Sequence, residues 1–152
     1  MSRFGSFWQQ YGPYFAFAAA LAATLGSLYY SEVAGFVPCT LCWYQRILMY
    51  PLTVITLVGI LKHDDGLPEY VLPFSIIGVG VSSYHYLMQA GVVGHSAACT
   101  VGVPCDLRWV NYFGFLTIPL LALTAFVIIT VAMALTKWAS LDAKVVDALA
   151  EV

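Results

Sequence analysis

The stretch with the clearest chemistry is Val37-Pro38-Cys39-Thr40-Leu41-Cys42-Trp43-Tyr44-Gln45-Arg46, two cysteines separated by two residues with an arginine one turn beyond the second. Thiols at that spacing can close and open a disulfide, and the one that ionises more readily is the nucleophile in exchange. Pro38 suits a helix start, and the apolar run after Cys42 carries the helix onward, so both cysteines are expected in a first turn. There the unpaired backbone N–H groups and the positive end of the helix dipole favour a thiolate over a thiol. Cys39, Cys42 and Arg46 fall at i, i+3 and i+7, which predicts that the guanidinium shares one helix face with both sulfurs.

A second pair, Cys99 and Cys105, lies downstream. Four cysteines admit a structural zinc site, two static disulfides or a redox relay. Zinc is the weakest of these, because zinc pairs come as close-set knuckles and these two pairs are separated by two apolar spans; no metal site is expected. Two inert staples fit less well than exchange, since closing so short a loop as Cys39–Cys42 removes little unfolded-chain entropy. Arg46 reads as an interfacial anchor or as a group that stabilises a thiolate or a negative oxygen on a bound acceptor; its position beside the cysteines favours the second. His85, in the run Ser82-Ser83-Tyr84-His85-Tyr86, reads equally as a hydrogen-bonded bundle residue or as part of the acceptor site. His63 and His95 read as solvated.

The elements that position these groups are membrane spans. The chain has 152 residues, 61% hydrophobic and 9% charged, with a mean hydropathy of +0.84, which marks an integral membrane protein. A net charge of −2 without a basic cluster gives no footing for nucleic acid. One transmembrane domain over residues 1–152 is expected, with helices near 13–30, 43–61, 70–89 and 110–136, each about the 20 residues that cross about 30 Å of hydrocarbon. The first run is too long for the apolar core of a signal peptide. The tail from Lys137 to Val152 reads as a short amphipathic helix without a chemical role.

Four spans put both termini on one side. Arg3, Lys62, Lys137 and Lys144 fall with the termini and the middle loop, against Arg46 and Arg108 on the other side, so the termini are expected in the cytoplasm. All four cysteines then lie in two extracytoplasmic loops, as an oxidising compartment permits. The fold expected is an all-α membrane protein, a four-helix transmembrane bundle.

The string Pro38-Cys39-Thr40-Leu41-Cys42-Trp43-Tyr44-Gln45-Arg46-Ile47, followed by Cys99-Thr100-Val101-Gly102-Val103-Pro104-Cys105, resembles the DsbB family of disulfide-bond formation proteins, and within it the short Gram-positive branch, BdbC. The likeness runs from the first helix through Gly114-Phe115-Leu116-Thr117-Ile118-Pro119. It implies a multi-pass enzyme of the bacterial cell membrane that reoxidises a thioredoxin-like thiol oxidase of the DsbA or BdbD type and passes electrons to the membrane quinone pool, menaquinone or ubiquinone. By that likeness Cys39 and Cys42 form the quinone-coupled pair, with Cys42 nearest the quinone and Arg46 polarising it. His85 is a further candidate for the quinone site. Cys99 and Cys105 form the pair that exchanges with the partner. The second pair is more closely spaced than in Gram-negative members, which shortens its reach. Two other readings stand beside this one: a quinone reductase of the vitamin K epoxide reductase type, whose cysteine pair normally falls late in the chain, and a non-catalytic scaffold stapled by two disulfides.

Overall fold

The computed structural model describes residues 3–94, 99, 103–110 and 113–150. They form four helices: α1, Arg3–Leu28, extended by one π-helical turn over Tyr29–Val33; α2, Thr40–Lys62; α3, Leu67–Gln89; and α4, Ile118–Ala150. Helices α2, α3 and α4 are each long and apolar enough to cross a membrane. α1 is 26 residues long and packs beside them, mainly along α4.

Neighbours in space follow neighbours in sequence, with α1 closing the ring against α4 and with α2 and α4 nearly out of contact across it. The pairs are antiparallel. Thr24 meets Thr53 and Ser27 meets Tyr50 between α1 and α2, Thr136 Oγ1 of α4 donates to the Trp8 carbonyl of α1, and Lys137 of α4 lies 3.8 Å from Glu69 of α3. The α2–α3 turn and the outer ends of α1 and α4 therefore share one end of the bundle, and every cysteine lies at the other.

The core is a column of Leu52, Val71, Phe126, Ile129 and Met133, closed by Ala16 and Ala20 of α1. Small residues let the helices approach, as in membrane bundles generally: a Cβ at Gly78 would overlap the Phe126 ring. Ile47, Val54, Leu61, Ile76, Ile77 and Val131 face outward and are exposed, which suits a bundle whose solvent is lipid. At the α2–α3 turn the Tyr70 hydroxyl, helped by the Gly66 N–H, holds the Asp64 carboxyl below the usual carboxylate range. His63, in the left-handed cap of α2, is exposed there.

Several boundaries differ from those read in the sequence. α1 starts at Arg3 and not near residue 13, since Pro13 is carried inside a helix that begins earlier. α2 starts at Thr40 because Cys39 caps it. α4 starts at Ile118, later than residue 110, because Phe113 (φ 57°) and Gly114 (φ 83°) take left-handed backbone and Pro119 suits a first helical turn. It then runs unbroken through the tail to Ala150, which is therefore no separate helix.

Candidate active site at the start of α2

Cys39 is the N-cap of α2, with extended backbone (φ −74°, ψ 173°), and its Sγ accepts from the Cys42 N–H at 3.4 Å. A sulfur thus takes the place of the usual capping oxygen on one of the helix's unpaired donors. Cys42 is the third helical residue, and the two sulfurs stand 3.0 Å apart as unbonded thiols. The two sulfurs stay together at the helix start, but only Cys42 lines a cavity with Arg46, while Cys39 also meets His85.

On its own side Cys39 meets a buried polar cluster. His85 of α3, 1% exposed, sets Nε2 at 3.7 Å from Cys39 Sγ and at 3.0 Å from the Cys105 carbonyl oxygen. That carbonyl can only accept, so Nε2 carries the ring proton and Nδ1 accepts from Gln45 Nε2 at 3.1 Å. Gln89 Nε2 donates to the Leu107 carbonyl at 3.2 Å and lies 3.5 Å from that of Cys105, while the Arg108 guanidinium donates to the Gln89 carbonyl. Cys99 and Cys105 are joined in a disulfide packed into one cluster with Cys39, Leu41 and Met88. The Cys39 thiol is held below its ordinary range, foremost by the hydrogen bond from the Cys42 side chain, with burial opposing and His85 assisting. Of the two sulfurs Cys39 has the further donors, the Cys42 N–H and the imidazole, so the negative charge settles there.

On the other side of the helix start lies a cavity of about 360 Å³ lined by α1, α2 and α4. Its walls are mostly small or apolar, among them Ala19, Ala23, Met49, Leu121 and Ala125, and Cys42 and Arg46 reach it from α2. Arg46 is held by α1: its Nε donates to Ser27 Oγ at 2.9 Å and its Nη2 to the Ser27 carbonyl at 3.0 Å, with the guanidinium carbon 5.3 Å from the Trp43 ring centroid. At its sulfur end the cavity is flanked by a stack of Tyr30, Phe36 and Trp109, with centroids 5.9 and 5.2 Å apart. Cys42 also lines a gap of about 20 Å³ shared with Cys39, His85 and Gln89. Cys42 is thus the cysteine that touches both spaces.

The structure brings Cys39, Cys42, Cys99, Cys105 and His85 together and places Arg46 on the far flank. His85 does not line the larger cavity, where the sequence offered it as a candidate; it stands among the sulfurs, because three turns of α3 past Pro73 carry it to the level of Cys39. His95 lies outside the described residues. Gln45, Gln89 and Ser27 were missed by the sequence reading. The signal that could have found the first two is a glutamine inside an apolar span, where an amide needs an internal partner.

Thiols and a disulfide packed together at one end of a lipid-facing helical bundle are the working parts of a membrane thiol–disulfide oxidoreductase. Residues 10–140 match the family model described as disulfide bond formation protein DsbB. The chain belongs to this DsbB family. It is 51% identical over 126 residues to disulfide bond formation protein C of Bacillus subtilis, covering 82% of this chain and 91% of that protein. It is 55% identical over 111 residues to a protein of Halalkalibacterium halodurans described as probable disulfide formation protein C, covering 72% and 81%. Over 124 residues it is 45% identical to probable disulfide formation protein C 1 of Bacillus anthracis, covering 81% and 89%. No solved structure gives a significant match.

Proposed function

We propose that the protein reoxidises an extracytoplasmic, thioredoxin-like dithiol oxidase and delivers the electrons to quinone in the bacterial cell membrane, so that disulfides form in exported proteins. The observation that carries this reading is the double position of Cys42, which lines both the gap beside Cys39 and His85 and the apolar cavity beside Arg46. The termini lie in the cytoplasm and the sulfur end outside: Lys62, Lys137 and Lys144 sit at the end opposite the cysteines, which carries Arg46 and Arg108.

In the exchange half, a thiolate of the reduced partner attacks the Cys99–Cys105 disulfide, and the partner's second thiol displaces the mixed disulfide to leave as oxidised partner. The Cys99 and Cys105 thiols then reduce a Cys39–Cys42 disulfide by the same chemistry. Two electrons and two protons move inward per cycle: attack falls on Cys39, the sulfur packed against the second pair, and the Cys39–Cys42 bond breaks to release the Cys42 thiolate beside the larger cavity.

The larger cavity fits a quinone on its own features: apolar walls, room of about 360 Å³, and one fixed cation beside one thiol. Bound there, a quinone would supply a sink for two electrons and two protons, which no side chain present offers. Arg46, tied down by two hydrogen bonds to Ser27, presents a preorganised charge to an acceptor oxygen, and the alanine-lined wall excludes water. Mixing the purified, lipid-embedded protein with a reduced thioredoxin-like oxidase and a defined quinone tests the reading: catalytic quinol formation supports it, and disulfide exchange without any quinol formation refutes it.

A further inference from the structure

We propose that the reduced site binds one thiophilic d10 cation of the zinc type through Cys39 Sγ, Cys42 Sγ and His85 Nε2, with the fourth position left to water. The three ligand atoms lie within 4.8 Å of one another. They border a gap of about 20 Å³, room for an ion or a single water. This differs from the zinc use weighed from the sequence, which needed all four cysteines; Cys99 and Cys105 are bonded to each other and contribute none.

One ligand distance is already near what the ion requires and the other two adjust, with Cys42 Sγ, within 4.8 Å of His85 Nε2, drawing in toward about 3.5 Å. With Zn–S near 2.3 Å and Zn–N near 2.0 Å, tetrahedral bonding sets sulfurs about 3.8 Å apart and sulfur from nitrogen about 3.5 Å. The Cys39 Sγ to His85 Nε2 distance is already 3.7 Å, and the sulfurs, at 3.0 Å, must part by about 0.8 Å, within the reach of a small side-chain rotation.

The surroundings supply what a ligating histidine needs. To bind through Nε2 the ring must give up its bond to the Cys105 carbonyl and carry its proton on Nδ1, where Gln45, 3.1 Å away, offers its amide oxygen once the amide turns over. Gln89 lines the same gap, is 8% exposed, and has an amide oxygen without a hydrogen-bond partner among the described residues, an acceptor for a metal-bound water. Two thiolates and an imidazole favour zinc or cadmium over magnesium or calcium.

Binding releases the thiol protons to solvent, shifts the imidazole proton from Nε2 to Nδ1 and moves no electrons. A closed Cys39–Cys42 disulfide offers no thiolate, so the ion binds only the reduced site and, while bound, keeps both thiolates from electron transfer. The cation thus acts as a reversible inhibitor that selects one redox state.

The test uses the full chain in lipid nanodiscs with Cys99→Ser and Cys105→Ser, so that Cys39 and Cys42 are the only thiols. Cadmium is titrated into the reduced protein while the thiolate-to-cadmium absorption is followed, and zinc protection of the thiols from maleimide is read by mass spectrometry. The expected result is one cadmium per chain, none after oxidation of the pair, and a half-saturating concentration raised about 10- to 100-fold by Gln45→Leu and further by His85→Ala. Circular dichroism checks that each variant is folded; if His85→Ala is not, Gln45→Leu decides. Absence of the band in the reduced protein, or unchanged binding in the folded histidine or glutamine variant, overturns the proposal.

Discussion

The two flanks of the α2 start differ in kind although one helix turn separates them. The Cys39 flank is tight, with the His85 imidazole, the Gln89 amide and the Arg108 guanidinium around a gap that holds about one water. The Cys42 flank opens on a space some eighteen times larger, about 360 Å³ against 20 Å³, with mostly small and apolar walls and Arg46 as its one charged side chain. Thiol–disulfide exchange needs sulfurs lined up and a thiolate stabilised, which a fixed polar cluster does. A flat apolar acceptor needs volume and one well-placed charge. One Cys-x-x-Cys pair serves both, because its first sulfur borders only the small gap and its second borders both spaces.

The largest effect expected is from Cys42→Ser. It removes the sulfur common to both flanks, so steady-state quinone reduction falls to background, while the Cys99–Cys105 disulfide still accepts electrons once from a reduced partner. Sustained turnover by this variant, measured as quinol formed per enzyme, would break the comparison outright. Cys105→Ser acts on the exchange side alone and is expected to accumulate a mixed disulfide between Cys99 and the partner, visible on a non-reducing gel. An adduct that maps to Cys39 would reverse the order of the pairs.

Arg46 comes next. An ammonium cannot reproduce the two bonds to Ser27, so Arg46→Lys and Arg46→Gln are both expected to cost about 1 to 3 kcal/mol in the quinone step, roughly 5- to 150-fold in kcat/KM. Partner exchange at Cys99–Cys105 is expected to stay unchanged. Quinone kinetics untouched in both variants would return Arg46 to the role of a membrane anchor. Ser27→Ala keeps the carbonyl bond and loses the hydroxyl one, a milder change of about 0.5 to 1.5 kcal/mol on the same step.

The smallest effect is a pH shift on the Cys39 flank. Because the hydrogen bond from Cys42 and the nearby imidazole depress the Cys39 pKa, its thiolate persists below the pH at which an ordinary thiol is protonated, and alkylation is lost only as pH falls through the depressed value. The iodoacetamide rate profile of reduced Cys39 is therefore expected to inflect well below that of a free cysteine. His85→Ala removes one of the stabilising partners, so the inflection moves upward; a profile that stays in place would show that His85 does not act on the sulfur.

Local patterns made part of this legible in the sequence. The Cys-x-x-Cys pair, the helix it starts and the outward apolar faces follow from neighbours within a turn or two. That Cys39 is the cap and not a first-turn residue was not legible, because the spacing of two cysteines does not say where the first helical residue falls. The polar cluster was invisible for another reason: His85 meets Cys39 and Gln45 from 46 and 40 residues away, and nothing in the spacing of an apolar span says which of its polar residues turn inward. The start of α4 was read too early because an apolar run hid two left-handed residues, one of them a phenylalanine.

The central claim, that electrons cross from the exchange flank to the cavity flank through Cys42, is tested most directly by the order in which disulfides form. Fully reduced protein in lipid is mixed with quinone, quenched at intervals with an alkylating reagent and mapped by mass spectrometry. The account requires Cys39–Cys42 to close first, Cys99–Cys105 to follow, and neither to close in Cys42→Ser. Closure of Cys99–Cys105 ahead of Cys39–Cys42, or its closure by quinone in Cys42→Ser, would contradict it.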